Sequence, residues 1–235
     1  MNDASRLKDG QAHYSALLTP EGTYVDDILV HRLSENDFLL VVNAGTKDKD
    51  YAWIRQQVGG FPGIHLSDYS SYYSQLAVQG PRALETLQKL TKVELAGIRN
   101  YWFTFGEVAG VANVLIARTG YSGEDGFEVY IPSDEPTTVK MWEALMEAGR
   151  EFGIRPCGLG ARNTLRLEAG MPLYGTKSPT RSTSSRAGWS AGSSWRRASS
   201  LGAMRCSRRR RRAGRSGSWW GWRWWSGGSR GMGTW

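Results

Sequence analysis

The sequence changes character after Gly175, and that change limits where a fold can form. Residues 1–176 carry 16 Lys+Arg and 22 Asp+Glu, whereas residues 177–235 carry 14 Lys+Arg and no acid. The tail has one Leu and no Val, Ile, Phe or Tyr, yet it holds 8 of the 11 Trp. Such a segment cannot bury enough apolar area to offset the entropy of ordering its backbone. A core must come from residues 1–175, a length that suffices for one domain. Residues 176–235 are expected to be a disordered, low-complexity Arg/Gly/Ser/Trp tail and not a domain.

The formal net charge of +8 describes neither part, because the body is at −6 and the tail at +14. A basic chain with an Arg run, here residues 208–212, points to nucleic acid or an anionic membrane. The body, being mildly acidic, gives no electrostatic reason to bind a phosphate backbone. The two cysteines, Cys157 and Cys206, fall on either side of the break and form no disulfide framework. The start of the chain has no apolar signal region, and no apolar stretch is long enough to span a bilayer. A cytoplasmic protein is expected, or a mitochondrial one if the source is eukaryotic and a leader precedes this start. The chain enters patterned sequence soon after Met1, so its beginning is expected not to be the natural one.

The genetic code offers a reading of the tail. Trp has one codon, TGG. Translated one base out of frame, each Trp stands over an original codon ending in TG, which is Leu, Val or Met; a Trp following another Trp stands over Val. Residues 219–226 then become an apolar, β-branched run of strand type. The opposite shift turns every Trp into Gly. A frame change near residue 176 is therefore preferred over an evolved basic arm.

Within the body, residues 24–33 and 37–43 read as two strands of a hairpin, followed by a helix over 47–58 with Tyr51, Ile54 and Val58 on one face. A short strand at 75–78 precedes a helix that opens at Gly80-Pro81 and runs to 92. Strands at 101–108 and 111–118 pair about Ala109-Gly110, with another strand at 127–131. A helix over 137–150 presents Val139, Trp142, Leu145 and Met146, and a last helix spans 160–169. Hairpins with interspersed helices define an α+β class with antiparallel sheets.

Three stretches hold candidate chemistry. Asp26 and Asp27 interrupt an apolar strand, and alternation sends them to opposite faces, one of them inward. Read alone, the pair is best taken as a strand-edge charge or salt bridge; the functional reading is a buried carboxylate that holds an NH-bearing ligand or takes its proton. RTGYSGEDGFE at 118–128 is a Gly-rich connection in which a plain hairpin loop would put Gly123 and Gly126 at positive φ. Tyr121, Glu124 and Glu128 are a costly polar set for a mere turn, and Glu128 alternates with Phe127 and Val129 in a way that aims it at a pocket. RPCGLGARNTLRLE at 155–168 puts Arg162 and Arg166 on one helix face, either as exposed charges or as an anion clamp. Cys157 has no nearby His, and the three His show no metal spacing.

Taken in order, DGQAHYS with DDILV (residues 9–15 and 26–30), LAVQGP (76–81), RTGYSGEDGFEVYIP (118–132) and PCGLGARNTLRLEAGMPLYG (156–175) closely resemble the glycine cleavage system T-protein, the tetrahydrofolate-dependent aminomethyltransferase. The resemblance covers nearly all of residues 2–175 and then stops. The out-of-frame reading of the tail yields pieces compatible with the family's continuation, so two lines of argument agree.

The resemblance implies a folate-binding domain of the T-protein type. It also implies transfer of an aminomethyl group from the lipoyl arm of H-protein to tetrahydrofolate, with release of ammonia and formation of 5,10-methylenetetrahydrofolate. Asp27 matches the family's catalytic carboxylate, which accepts a proton from the folate amine. Tyr14, Asn43, Tyr121, Glu128 and Arg162 match folate-pocket positions. Glu128 suits the adjacent NH donors of a pterin, and Arg162 an acid or carbonyl of the folate. H-protein and folate are the implied partners, with neither nucleic acid nor membrane. Activity of the chain as written is expected to be impaired, and folate binding weak, since the family carries further segments on both sides. The alternatives are a folate-binding module without transfer, a nucleic-acid binder acting through the tail, and the related flavin-dependent enzymes of methylated glycines.

Overall fold

The computed structural model describes residues 2–173, which fall into two compact units, one within Met1–Asp68 and one spanning Tyr69–Met171. The expectations for residues 176–235 lie outside the described residues.

The first unit is a three-stranded antiparallel sheet with a helix. Strands β1 (Ala12–Leu18), β2 (Tyr24–Ser34) and β3 (Asp37–Val41) lie in the order β1-β2-β3. The β2–β3 hairpin was legible from its apolar, β-branched runs; β3 ends at Val41, earlier than the expected 43. β1 had no clear period, because Ser15, Ala16 and Leu17 are consecutively buried. Its register with β2 pairs Tyr14 with Leu29 and Ala16 with Asp27. Helix α1 (Lys47–Val58) ends at Gly59, as expected. Leu17, Ile28 and Val30 of the sheet share a core with Ile54 and Val58 of α1. The buried stripe of α1 is Asp50, Ile54 and Val58, in place of a stripe begun by Tyr51.

The second unit contains a four-stranded antiparallel sheet of β4 (Tyr73–Gln79), β5 (Phe103–Val108), β6 (Val111–Ala117) and β7 (Gly126–Pro132), in the order β4-β7-β6-β5. Every residue of β7 up to Ile131 is buried, as a central strand with both faces covered requires. The β5–β6 hairpin turns at Ala109-Gly110, with φ of 50° and 78°. Helix α2 (Ala83–Gln88) stops short of the expected 92, since the Gln88 side chain turns to the carbonyls of Thr91 and Val93 and the amide of Leu95. Helix α3 (Glu135–Ala148) starts at Asp134, whose carboxylate accepts from the Thr137 amide at 2.9 Å. Its buried face is Met141, Leu145 and Ala148, rotated from the expected one because Val139, Trp142 and Met146 are only half-buried. Burying Met141 or Leu145 stabilises by about 1.5–3 kcal/mol each. Helix α4 (Leu159–Glu168) carries Arg162. The α+β class with antiparallel sheets and packed helices is the observed one.

Candidate functional site

In the first unit, alternation along β2 sends Asp26 to the core face beside Tyr24 and Ile28, and Asp27 to the opposite face. The inward carboxylate is therefore Asp26, with a side chain 0% exposed. Asp27 shares its face with Tyr14, whose strand partner Leu29 lies two residues on, a diagonal that long side chains span. Tyr14 Oη donates to Asp27 Oδ2 at 2.5 Å. Asn43, in the turn after β3, donates from Nδ2 to Asp27 Oδ1 at 2.7 Å and to Asp26 Oδ1 at 2.9 Å. It ties together two carboxylates that the strand sends apart. Thr46 stands at the N-cap of α1, yet its hydroxyl donates to Asp26 Oδ2 and makes no cap bond.

Burial raises the Asp27 carboxyl above its ordinary range, aided by the Asp26 charge, while hydrogen bonds from Tyr14 and Asn43 hold it back. Burial also works to raise Asp26, but contacts from Asp50, Thr46 and Asn43 and the amide of Asp27 outweigh it, so Asp26 sits below its ordinary value. Asp27 is thus the member of the pair suited to take up a proton. Burial pushes the Tyr24 phenol up to about 12, with the Asp27 charge adding to it.

In the second unit, Glu128 on β7 is 7% exposed. Its Oε2 accepts from the Thr119 hydroxyl and, at 3.2 Å, from Tyr130 Oη. Gln75 Nε2 donates to Tyr130 Oη at 2.9 Å. Burial raises the Glu128 carboxyl; the bonds from Thr119 and Tyr130 and the Arg162 charge oppose it. Burial and the Glu128 charge also raise the Tyr101 phenol. The Arg162 guanidinium stacks over the Tyr121 ring, 4.4 Å from its centroid.

The structure brings the expected residues together as two groups, Tyr14–Asp27–Asn43 in the first unit and Tyr121–Arg162 with Glu128 in the second. Other members of the second stretch have structural roles. Arg118 grips Asp125 through two hydrogen bonds of 2.9 and 2.6 Å, and Glu124 is exposed. Gly123 has a φ of +81°, as a loop glycine should. Gly126 does not have positive φ; it opens β7 where a Cβ would lie 2.6 Å from the Val78 carbonyl oxygen. Arg166 forms no clamp with Arg162, because it bonds Asn163 Oδ1 at 3.0 and 2.5 Å and the Met171 carbonyl at 3.3 Å. Cys157 is an exposed free thiol. Sequence reasoning missed Thr46, Asp50, Gln75, Thr119 and Tyr130. Two of them had a signal: Asp50 stands four residues before Ile54 on the buried face of a helix, and Tyr130 stands two after Glu128 on one strand face.

Antiparallel sheets bearing these hydrogen-bonded carboxyl groups define a class with a solved example. A crystal structure of glycine cleavage system aminomethyltransferase T from Bartonella henselae matches with a TM-score of 0.65 and 32% identity, over 77% of this chain and 47% of that one. The model of the GCVT N-terminal domain matches residues 1–195, and the chain belongs to that family, the aminomethyltransferase family of the glycine cleavage system. The aminomethyltransferase of Acidobacterium capsulatum is 65% identical over 175 residues, and that of Koribacter versatilis 56% over 175; each match covers 74% of this chain. The chain spans about half the length of these relatives, 46% of each.

Proposed function

We propose that this chain contributes the folate-binding part of a tetrahydrofolate-dependent aminomethyltransferase, which takes an aminomethyl group from the lipoyl arm of H-protein, releases ammonia and forms 5,10-methylenetetrahydrofolate. The observation that carries the reading is the convergence of Tyr14 and Asn43 on Asp27, at 2.5 and 2.7 Å. Asp27 is oriented from both oxygens, and its raised pKa makes it a better proton acceptor than an exposed aspartate. Tetrahydrofolate supplies the nitrogen nucleophiles of the transfer. The chain's residues fit it on chemical grounds: Glu128 is a buried acceptor, and Gln75 Oε1 is buried with no hydrogen-bond partner among the described residues, so NH donors of an amino-pyrimidine edge would satisfy it. Arg162, held over Tyr121, would meet an acid or carbonyl of the folate.

The test is Asp27→Asn in a full-length, frame-corrected protein. It should abolish transfer while calorimetry still records folate binding; retained turnover would remove Asp27 from its role.

Residues 176–235 are, on this reading, an out-of-frame segment following an aminomethyltransferase domain of residues 1–175. Their acid-free composition and the strand-like run recovered by a one-base shift support it. So do aligned lengths of 175 residues in both relatives, although the family match itself reaches residue 195. Sequencing the encoding DNA decides the matter: if a one-base change near codon 176 restores no acidic, strand-rich sequence, the reading fails.

A further inference from the structure

Asp50 is a carboxyl group where α1 should present only apolar side chains to the sheet. It lies four residues before Ile54 and eight before Val58 on the buried stripe, and its side chain is 0% exposed. We propose that Asp50 is a positioning residue: it keeps a proton that it shares with Asp26, and so holds Asp26 as the fixed anion on which Asn43, and through Asn43 the Asp27 carboxyl, is oriented.

The placement of donors leads to this. Asp26 Oδ1 accepts from Asn43 Nδ2 at 2.9 Å and from the Asp27 amide at 2.8 Å. Asp26 Oδ2 accepts from Thr46, with Lys49 Nζ at 3.4 Å. The two buried carboxyls converge on one ammonium, Lys49 Nζ, which lies 3.4 Å from Asp26 Oδ2 and 3.1 Å from Asp50 Oδ1. Among the described residues no other side chain or amide gives either Asp50 oxygen a hydrogen bond of good geometry. Lys49 Nζ stands 3.1 Å from Asp50 Oδ1, and it also donates to the Val25 carbonyl. Two ionised carboxylates in contact inside a protein repel strongly, whereas one proton between them makes a charge-assisted O–H···O⁻ bond. The half-exposed Lys49 ammonium cannot neutralise Asp26, Asp27 and Asp50 together.

Burial, then the contact with Asp26, pushes Asp50 up to about 7, against the pull of Lys49. The charged and titratable groups around the pair are Lys49 on α1, Asp27 and Tyr24 on β2, and Tyr14 on β1. Lys47, with Asp48 and Asp68, forms a separate ion-pair cluster.

The sign of the pH effect follows. Asp50 retains its proton in the folded chain at pH values where the unfolded chain, with an aspartate pKa of about 3.9, has lost it. Stability due to this group is full at low pH and falls as pH rises towards about 7.

The consequence for transfer rests on the reading of Asp27 given above; the shared proton does not. The experiment compares the full chain with its Asp50→Asn, Asp50→Leu and Asp26→Asn variants. Asp50→Asn keeps the shape and a donor to Asp26, so its thermal stability relative to the parent should rise steadily between about pH 4 and about pH 7, then level off. Asp26→Asn should lower the pH at which that change is complete. In a carbon-13 carboxyl titration the Asp27 midpoint should stay put in Asp50→Asn and move up by about one pH unit in Asp50→Leu, as Asp26 and Asn43 lose their anchor.

A stability difference between Asp50→Asn and the parent that is flat with pH would overturn the proposal, as would an Asp27 midpoint unmoved in a folded Asp50→Leu chain. If these variants do not fold, the parent decides: its infrared spectrum near neutral pH should contain a protonated-carboxyl band, and the absence of that band overturns the proposal. An Asp27 that titrates as described but is dispensable for transfer would sink the functional reading and leave this one standing.

Discussion

At the scale of single residues, the chemistry depends on which neighbour each carboxyl faces. Asp27 is held by a phenol and an amide, and removing either leaves a buried carboxylate less well solvated. Tyr14→Phe should raise the Asp27 pKa further and lower stability at neutral pH by about 1–2 kcal/mol, readable by carboxyl titration and denaturant unfolding. Glu128 gives a second case with the same sign. Its folded pKa lies above the ordinary value, so the stability it contributes declines as pH rises through the range between the unfolded and folded values. Glu128→Gln should therefore gain on the parent as pH rises through that range, and a pH series of melting temperatures checks this. Asp27, Tyr14 and Asn43 were legible because they stand in motifs that resemble a known family. Thr119 and Gln75 were not, because they reach the Glu128–Tyr130 face of β7 only through the pairing of β6 and β4 with that strand.

At the scale of elements, the strands were read well wherever the polar–apolar period was clean. β2, β3, β5, β6 and β7 all formed near their expected bounds. Errors arose where tertiary packing overrode local pattern. α2 ends early because Gln88 satisfies the loop that follows it, and α3 is rotated to bury Met141. Two tests follow at this scale. Gly126→Ala would drive a Cβ to 2.6 Å from the Val78 carbonyl oxygen, which cannot swing away as a side chain would. It should cost about 1–3 kcal/mol in chemical denaturation. Asp134→Ala removes the N-cap bond of α3 and should cost about 1 kcal/mol by the same measurement.

At the scale of the whole molecule, charge is divided between a body at −6 and a tail at +14. Retention on a polyanion column should therefore reside entirely in residues 177–235, fall steeply with salt, and vanish when they are deleted. Retention by residues 1–176 alone would contradict the electrostatic reading of the body. This adsorption is non-specific and bears no relation to the chemistry proposed for Asp27 and Glu128.

Composition and period were enough to show hairpins alternating with helices, and the ordered motifs marked the family by resemblance. These are properties of short stretches: apolar spacing, turn residues, and side-chain types at set offsets. Folding alone decided that Asp26 and not Asp27 is the buried member of the pair, that Arg166 is committed to its own helix end, and that Asp50 shares the Lys49 ammonium with Asp26. Each of those outcomes depends on which distant groups share a buried volume, and the approach of residues 24 positions apart leaves no periodic trace in the chain.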